Sequence, residues 1–159
     1  MIYKELIEAI KILRSKSRLI GIDLGTKTIG LAISDPSMTI ASPLETINRK
    51  KMQIDLQRIQ FFVNEFEAQG IILGYPINMN YTVGPRTQST ISFAHELEKA
   101  FDIPIMLWDE RLSTSAAEKV LIDADLSRKK RKQVIDKMAA AYILQGALDR
   151  IGNYRDEHI

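Results

Sequence analysis

The run LIGIDLGTKTIGLAIS, from Leu19 to Ser34, leaves the chain few ways to fold. Leu19–Leu24 reads as a short strand apolar on both faces, the pattern of a central strand covered on two sides. Gly25-Thr26-Lys27 supplies a turn and Thr28 to Ser34 a second apolar strand, so the two pair as a hairpin. One acid, Asp23, interrupts the first strand, and burying a carboxylate there is costly unless it is paired or ligates a metal. On strand alternation Asp23 shares a face with Leu19, Gly21 and Gly25, and two flanking glycines remove side chains that would crowd an incoming group. Taken alone, Asp23 reads equally well as an acid capping the turn that follows it.

The rest of the chain alternates around this hairpin. Ile2, Leu6, Ala9, Ile10 and Leu13 recur at helical spacing and predict an amphipathic helix, an extension over residues 1–17 that packs against an edge of the domain. Met38 to Ile47 predicts a third strand, which Pro43 confines to an edge or a bend. Met52, Leu56, Ile59, Val63 and Phe66 line one face of a helix, with Gly70 where a stop belongs. Ile71 to Tyr75 is a buried strand ended by Pro76, followed by a polar loop and a helix carrying Phe93, Leu97 and Phe101 on its inner side. Ile103 to Trp108 predicts another strand, Ser115 and Glu118 a capping box for a short helix, and Gln133 to Ile151 a last helix. The expected architecture is α/β: a mixed five-stranded sheet, made of a three-strand antiparallel meander and two parallel strands reached through helical crossovers, with helices on both faces. The domain proper spans residues 18–152 and residues 153–159 form a tail.

Composition narrows the chemistry. Without cysteine, and with His95 and His158 as its two histidines, the chain lacks thiolate metal sites and cysteine nucleophiles and has little to offer a histidine metal site or a Ser-His-Asp triad. The absence of cysteine fits a reducing cytoplasm, the expected location. Lys4, Glu5 and Glu8 break up the first residues, so no secretory leader is expected, and no apolar stretch approaches the length of a membrane span. The formal net charge of +2 conceals an asymmetry: Arg128, Lys129, Lys130, Arg131 and Lys132 supply five positive charges, so the remainder is net negative. Basicity is concentrated in one patch, which reads either as solvated surface or as a nucleic-acid contact.

A second buried acid lies just beyond that patch. Asp136, Ala140, Ile143, Ala147 and Ile151 fall on one helical stripe, so the carboxylate shares the face that meets the core. The plainer alternative is an acid near a helix N-terminus, stabilised by the macrodipole. A third position is the pair Asp109 and Glu110, directly after a strand, where open sheets with parallel strands bind ligands. Acids from two strand ends and one helix face, in a chain almost free of histidine, describe an oxygen-only site for Mg²⁺ or Mn²⁺. Two ions held by shared carboxylates suit an in-line attack on phosphate. Lys27, Arg86, Arg111 and Arg128 to Lys132 would then hold the phosphates of a polyanionic substrate.

Four segments in order, GIDLGTKTIGLAISD, ILGYPINMN, WDERLSTSAAEKVL and DKMAAAYILQGAL, resemble the successive motifs of the YqgF family of Holliday junction resolvases and pre-16S rRNA nucleases. The resemblance covers about Leu19 to Leu148. It implies a ribonuclease H-like fold with the first and fourth strands of the core adjacent, divalent metal, and the acidic set Asp23, Glu110 and Asp136, with Asp109 as a weaker alternative to Glu110. It further implies a nucleic-acid substrate, an RNA precursor at the 5' end of 16S rRNA in ribosome biogenesis ahead of structured DNA at a recombination junction, and a monomer or weak homodimer without membrane attachment. Two positions depart from the family pattern: Thr28, where an arginine is usual, and Tyr81, where a glycine is usual.

Competing classes fit less well. DLGT followed by a hairpin also resembles the phosphate loop of the actin and sugar-kinase superfamily, whose members bind nucleotide between two related domains, whereas 159 residues supply one. Thr26 stands where a P-loop needs glycine before its lysine, and a strand follows Gly25 where a dinucleotide fold needs a helix. A non-catalytic RNA-binding module with a vestigial acidic site is the remaining alternative, set against the completeness of the three acids.

Overall fold

The apolar hairpin forms as expected, with β2 (Leu19–Leu24) and β3 (Thr28–Ser34) antiparallel and Asp23 opposite Gly30. The structure, a computed structural model, describes residues 1–13, 16–75, 85–109 and 128–157, excepting the side chains at 85–86 and 128–134. Around the hairpin are β1 (Ile2–Tyr3), α1 (Leu6–Ile10), β4 (Ala41–Asn48), α2 (Met52–Glu65), β5 (Gly70–Tyr75), α3 (Pro85–Ala100), β6 (Ile105–Asp109) and α4 (Arg128–Glu157). The described strands form one six-stranded sheet in the order β1-β6-β5-β2-β3-β4. The β2-β3-β4 meander is antiparallel, and β5 and β6 join it in parallel, so the first and fourth strands of the expected core are neighbours.

Alternation sorts the side chains onto two faces. Ile20, Ile22, Leu24, Ile29, Leu31 and Ile33 pack with Ile59, Phe62 and Val63 of α2 and Phe93 and Leu97 of α3. Leu19, Ala32, Ile72 and Met106 point the other way, against Leu6 and Ile10 of α1 and Ala140, Ile143, Leu144, Ala147 and Ile151 of α4. Both faces being covered is why β2 and β3 carry apolar residues on both faces, Asp23 and the terminal Thr28 and Ser34 being the polar positions. Asp23 and Gly30 belong to the face under α4.

Three sequence expectations change. The sheet has six strands rather than five because Ile2 and Tyr3, expected in a helix, pair parallel with Ile105 and Met106, leaving only Leu6–Ile10 helical. A two-residue strand carries no periodicity, so sheet pairing overrides the helical pattern there. Gly70 does not stop α2; Glu67, at φ 51°, takes the left-handed position and Gly70 opens β5. What Gly70 supplies is room, since a Cβ there would sit 2.8 Å from Met106 Cε. Finally, α4 starts at Arg128, so the basic run lies inside the helix rather than before it. Cations in a first turn oppose the helix macrodipole, which is why the sequence suggests a later start.

The β3–β4 connection turns on Asp35, whose carboxylate accepts hydrogen bonds from the amides of Thr39 at 2.7 Å and Ile40 at 2.9 Å and from the Ser37 hydroxyl. This turn holds Met38 at φ 56° with its side chain buried among α4 residues. Burial would raise the Asp35 pKa, but the Ile40 amide, the Ser37 hydroxyl and the Thr39 amide outweigh it and hold it below the usual carboxylate range. A depressed folded-state pKa means stability present above the unfolded value of 3.8 and lost as pH falls through the lower folded value. Asp35→Asn is therefore expected to cost under about 1 kcal/mol at neutral pH. Urea melts of both proteins between neutral pH and pH 2 should stay apart down to pH 3.8 and converge only below it.

Candidate active site

The two acids singled out in β2 and α4 meet because α4 lies unusually close to the sheet. A Cβ on Gly30 would fall 2.0 Å from the main-chain oxygen of Asp136, and one on Gly21 would fall 2.9 Å from that of Ala140 and 2.7 Å from Leu144 Cβ. Glycine at both positions lets the helix backbone rest on β2 and β3. This corrects the sequence reading of Gly21, which clears space for α4 rather than for a ligand. Asp23 pairs with Gly30 across the hairpin, and the α4 backbone at Asp136 rests on Gly30, so the half-buried Asp23 and Asp136 lie on the same face of the sheet, toward the carboxyl end of β2.

Thr28 is the residue the sequence reading noted only as a family departure. It is buried at the first position of β3, and alternation puts it on the α4 face with Gly30, Ala32 and Ser34. Its hydroxyl donates to Asp136 Oδ2 at 2.5 Å. The turn before it is braced: the Gly25 amide donates to the Thr28 carbonyl at 2.8 Å, the Arg49 amide to the Lys27 carbonyl at 2.9 Å, and the Arg49 guanidinium to the Gly25 carbonyl at 2.8 Å. Arg49 also lines a cleft of about 720 Å³ with Met52 of α2 and Gln88, Ser92 and Phe93 of α3. Lys27 is exposed at the tip of the same turn.

Asp109 ends β6 in register with Tyr75. It shares alternation with Ile105 and Leu107, not with Asp23, and lines a separate cleft of about 470 Å³ with Lys4, Trp108 and Arg150. Glu110 and Arg111 lie outside the described residues, as does the helix expected from Ser115 and the departure at Tyr81. Arg86 and Arg128 to Lys132 are placed as backbone only, in the first turns of α3 and α4. Lys132 stands one helical turn and Arg128 two turns before Asp136 in α4. Among the described residues no three acids or histidines gather in one place, two of the three expected acids being present.

The donor set suits a hard cation: carboxylate oxygens, with no thiolate or imidazole beside them among the described residues. The Thr28 hydroxyl engages one oxygen of Asp136 and leaves the other to a ligand.

Comparison with known proteins accords with this geometry. A family model described as RuvX, Holliday junction resolvase, matches residues 17–150. A Roseobacter denitrificans protein provisionally named pre-16S rRNA nuclease is 50% identical over 159 residues, covering 99% of this chain and 98% of its own length. A Ruegeria pomeroyi protein of the same name is 55% identical over 137 residues, 86% of this chain and 89% of its own. In fold, the chain is similar to T. thermophilus RuvC, solved in complex with a Holliday junction substrate, with a TM-score of 0.53 and 14% identity over 86% of this chain and 96% of that one. The expected ribonuclease H-like architecture is thus shown.

Proposed function

The chain belongs to the RuvX Holliday junction resolvase family, and on that premise we propose that it is a metal-dependent nuclease that hydrolyses phosphodiester bonds. The observation that supports this reading is that the α4 backbone at Asp136 rests on Gly30, the cross-strand partner of Asp23, and that the first turns of the same helix hold five cations. Asp109 shares alternation with Ile105 and Leu107 on the face away from α4, which counts against it as the third acid and agrees with the family resemblance, which implies Glu110. Asp23, Glu110 and Asp136 would hold Mg²⁺ or Mn²⁺, two ions in this reading, which would supply water activation and charge stabilisation for an in-line displacement at phosphorus.

The chain's own groups do the rest. Arg128 to Lys132 at the start of α4 repel the positive end of the helix dipole, and a phosphate backbone lying there relieves both charges. Lys27, Arg86 and Arg111 extend this hold on the strand. Thr28 and the close-packed α4 backbone fix Asp136 before substrate arrives, so little reorganisation remains for the chemical step.

We place the substrate among RNA precursors, at the 5' end of pre-16S rRNA, on the strength of relatives at 50% and 55% identity that carry that name. This function belongs in the cytoplasm, and among the described residues no helix is long and apolar enough to cross a membrane. Junction resolution is the second reading, favoured by the family description, and it needs a dimer to cut two strands symmetrically. Purified protein incubated with a pre-16S 5'-end transcript and with a four-way DNA junction, in Mg²⁺, Mn²⁺ or EDTA, is expected to cut the RNA only with metal. Cleavage in EDTA overturns the metal reading. Cutting of the junction alone, by a dimer in sedimentation, moves the substrate to DNA, and tight binding without cleavage returns the protein to the binding-module class.

A further inference from the structure

We propose that Thr28 is a positioning residue of the acidic site, orienting the Asp136 carboxylate, and that Arg49 holds Thr28 in place through the β2–β3 turn. The inference rests on the metal reading of the site given above. Thr28 and Asp136 are 108 residues apart in sequence and joined by one side-chain hydrogen bond of 2.5 Å. That bond has a directional consequence. A carboxylate on a helix can rotate about two side-chain torsions, and a neighbouring acid such as Asp23 drives it away when no ion is present. The Thr28 hydroxyl, fixed to a buried strand position, donates to Oδ2 and selects one orientation, so the carboxylate is set before any ion arrives.

Thr28 is in turn set by its turn. The residue stands at the first position of β3, immediately after Gly25-Thr26-Lys27, and any drift of that turn moves its hydroxyl. Arg49 grips the turn twice, by its guanidinium on the Gly25 carbonyl and by its amide on the Lys27 carbonyl. It does so from the end of β4, on the side of the sheet that carries Met52 and Phe93, away from α4. Arg49 therefore acts on Asp136 through the turn and through Thr28.

The isosteric change Thr28→Val removes the hydroxyl and keeps shape and strand preference, whereas Thr28→Ser keeps the hydroxyl. Thermal unfolding of the full chain across a Mn²⁺ titration reads ion binding without reference to cleavage, because an ion that binds only the folded state raises Tm. Thr28→Val should move the half-saturating Mn²⁺ concentration up by about tenfold or more, while Thr28→Ser stays within about threefold of the parent. Arg49→Ala, at a half-exposed position that leaves the core untouched, should shift it upward by about threefold or more, with Arg49→Lys recovering part of the loss. Thr28→Val titrating with the parent, or Thr28→Ser as weak as Thr28→Val, overturns the role of Thr28. Arg49→Ala titrating with the parent overturns its share. A parent protein whose Tm ignores Mn²⁺ overturns the metal reading itself and the proposal with it.

Discussion

Asp23→Asn is expected to lower the rate of metal-dependent cleavage by at least about a thousandfold, equivalent to about 4 kcal/mol of transition-state stabilisation, and to leave the fold intact. Asparagine matches aspartate in shape and keeps one carbonyl acceptor, but it carries no charge with which to hold a cation. The partner acid Asp136 stays in place, bound by Thr28, so what is lost is the ion and not the architecture. Circular dichroism and a melt within a few degrees of the parent would certify the fold, and single-turnover cleavage would supply the rate. Residual activity above a tenth of the parent's would remove Asp23 from the centre of the proposed chemistry.

Gly30→Ala is expected to have the largest effect on stability. The added methyl would stand 2.0 Å from the Asp136 carbonyl oxygen and 2.5 Å from its carbon, both of them main-chain atoms of a helix that also packs on β2 and β4. No side-chain rotation relieves that clash, so α4 must lift from the sheet. Overpacking of this kind costs about 1–3 kcal/mol, and rigid backbone on both sides puts this case at or above the upper end. The same shift would part Thr28 from Asp136 and weaken Mn²⁺ binding along with the fold. Gly152→Ala is the matched control: it lies in the same helix with nothing within 4 Å of the added methyl, and it should stabilise the chain by about 0.5–1 kcal/mol. Urea midpoints of the two variants should fall on opposite sides of the parent.

How far the sequence foretold these features depended on whether local pattern or distant contact set them. The boundaries of β2 and β3 come out as read because strands covered on both faces are apolar on both, a signal that needs no partner to interpret. β6 and α4 are found with shifted ends, since an end is decided by what the adjoining residues touch. Ile2 and Tyr3 become a strand only because β6 offers an edge. The shared face of Asp136 and the α4 core followed from helical spacing, and that of Asp23 from strand alternation. The nearness of the two acids did not: it depends on Gly30 and Gly21 meeting helix backbone more than a hundred residues later. The task of Thr28, noted only as a departure from the family pattern, and that of Arg49 escaped notice for a similar reason. A threonine at the head of a strand and an arginine after one are ordinary residues until a partner in α4 or in the turn gives them a task.

The outer strand of the sheet is built against company. Between its pairings with Leu31 and Ala32, β4 carries one residue too many, Leu44, so the ladder is broken midway. Pro43 beside it has no amide hydrogen to offer, and the amide of Ala41 is already taken by the Gln145 side chain of α4, which also reaches the Thr39 carbonyl. An incoming strand would meet a kinked edge with missing and occupied donors, the features by which natural sheets refuse to grow. Concentrated solutions of this protein should therefore resist fibre-like aggregation through β4, and a second copy that docks symmetrically has to use some other surface.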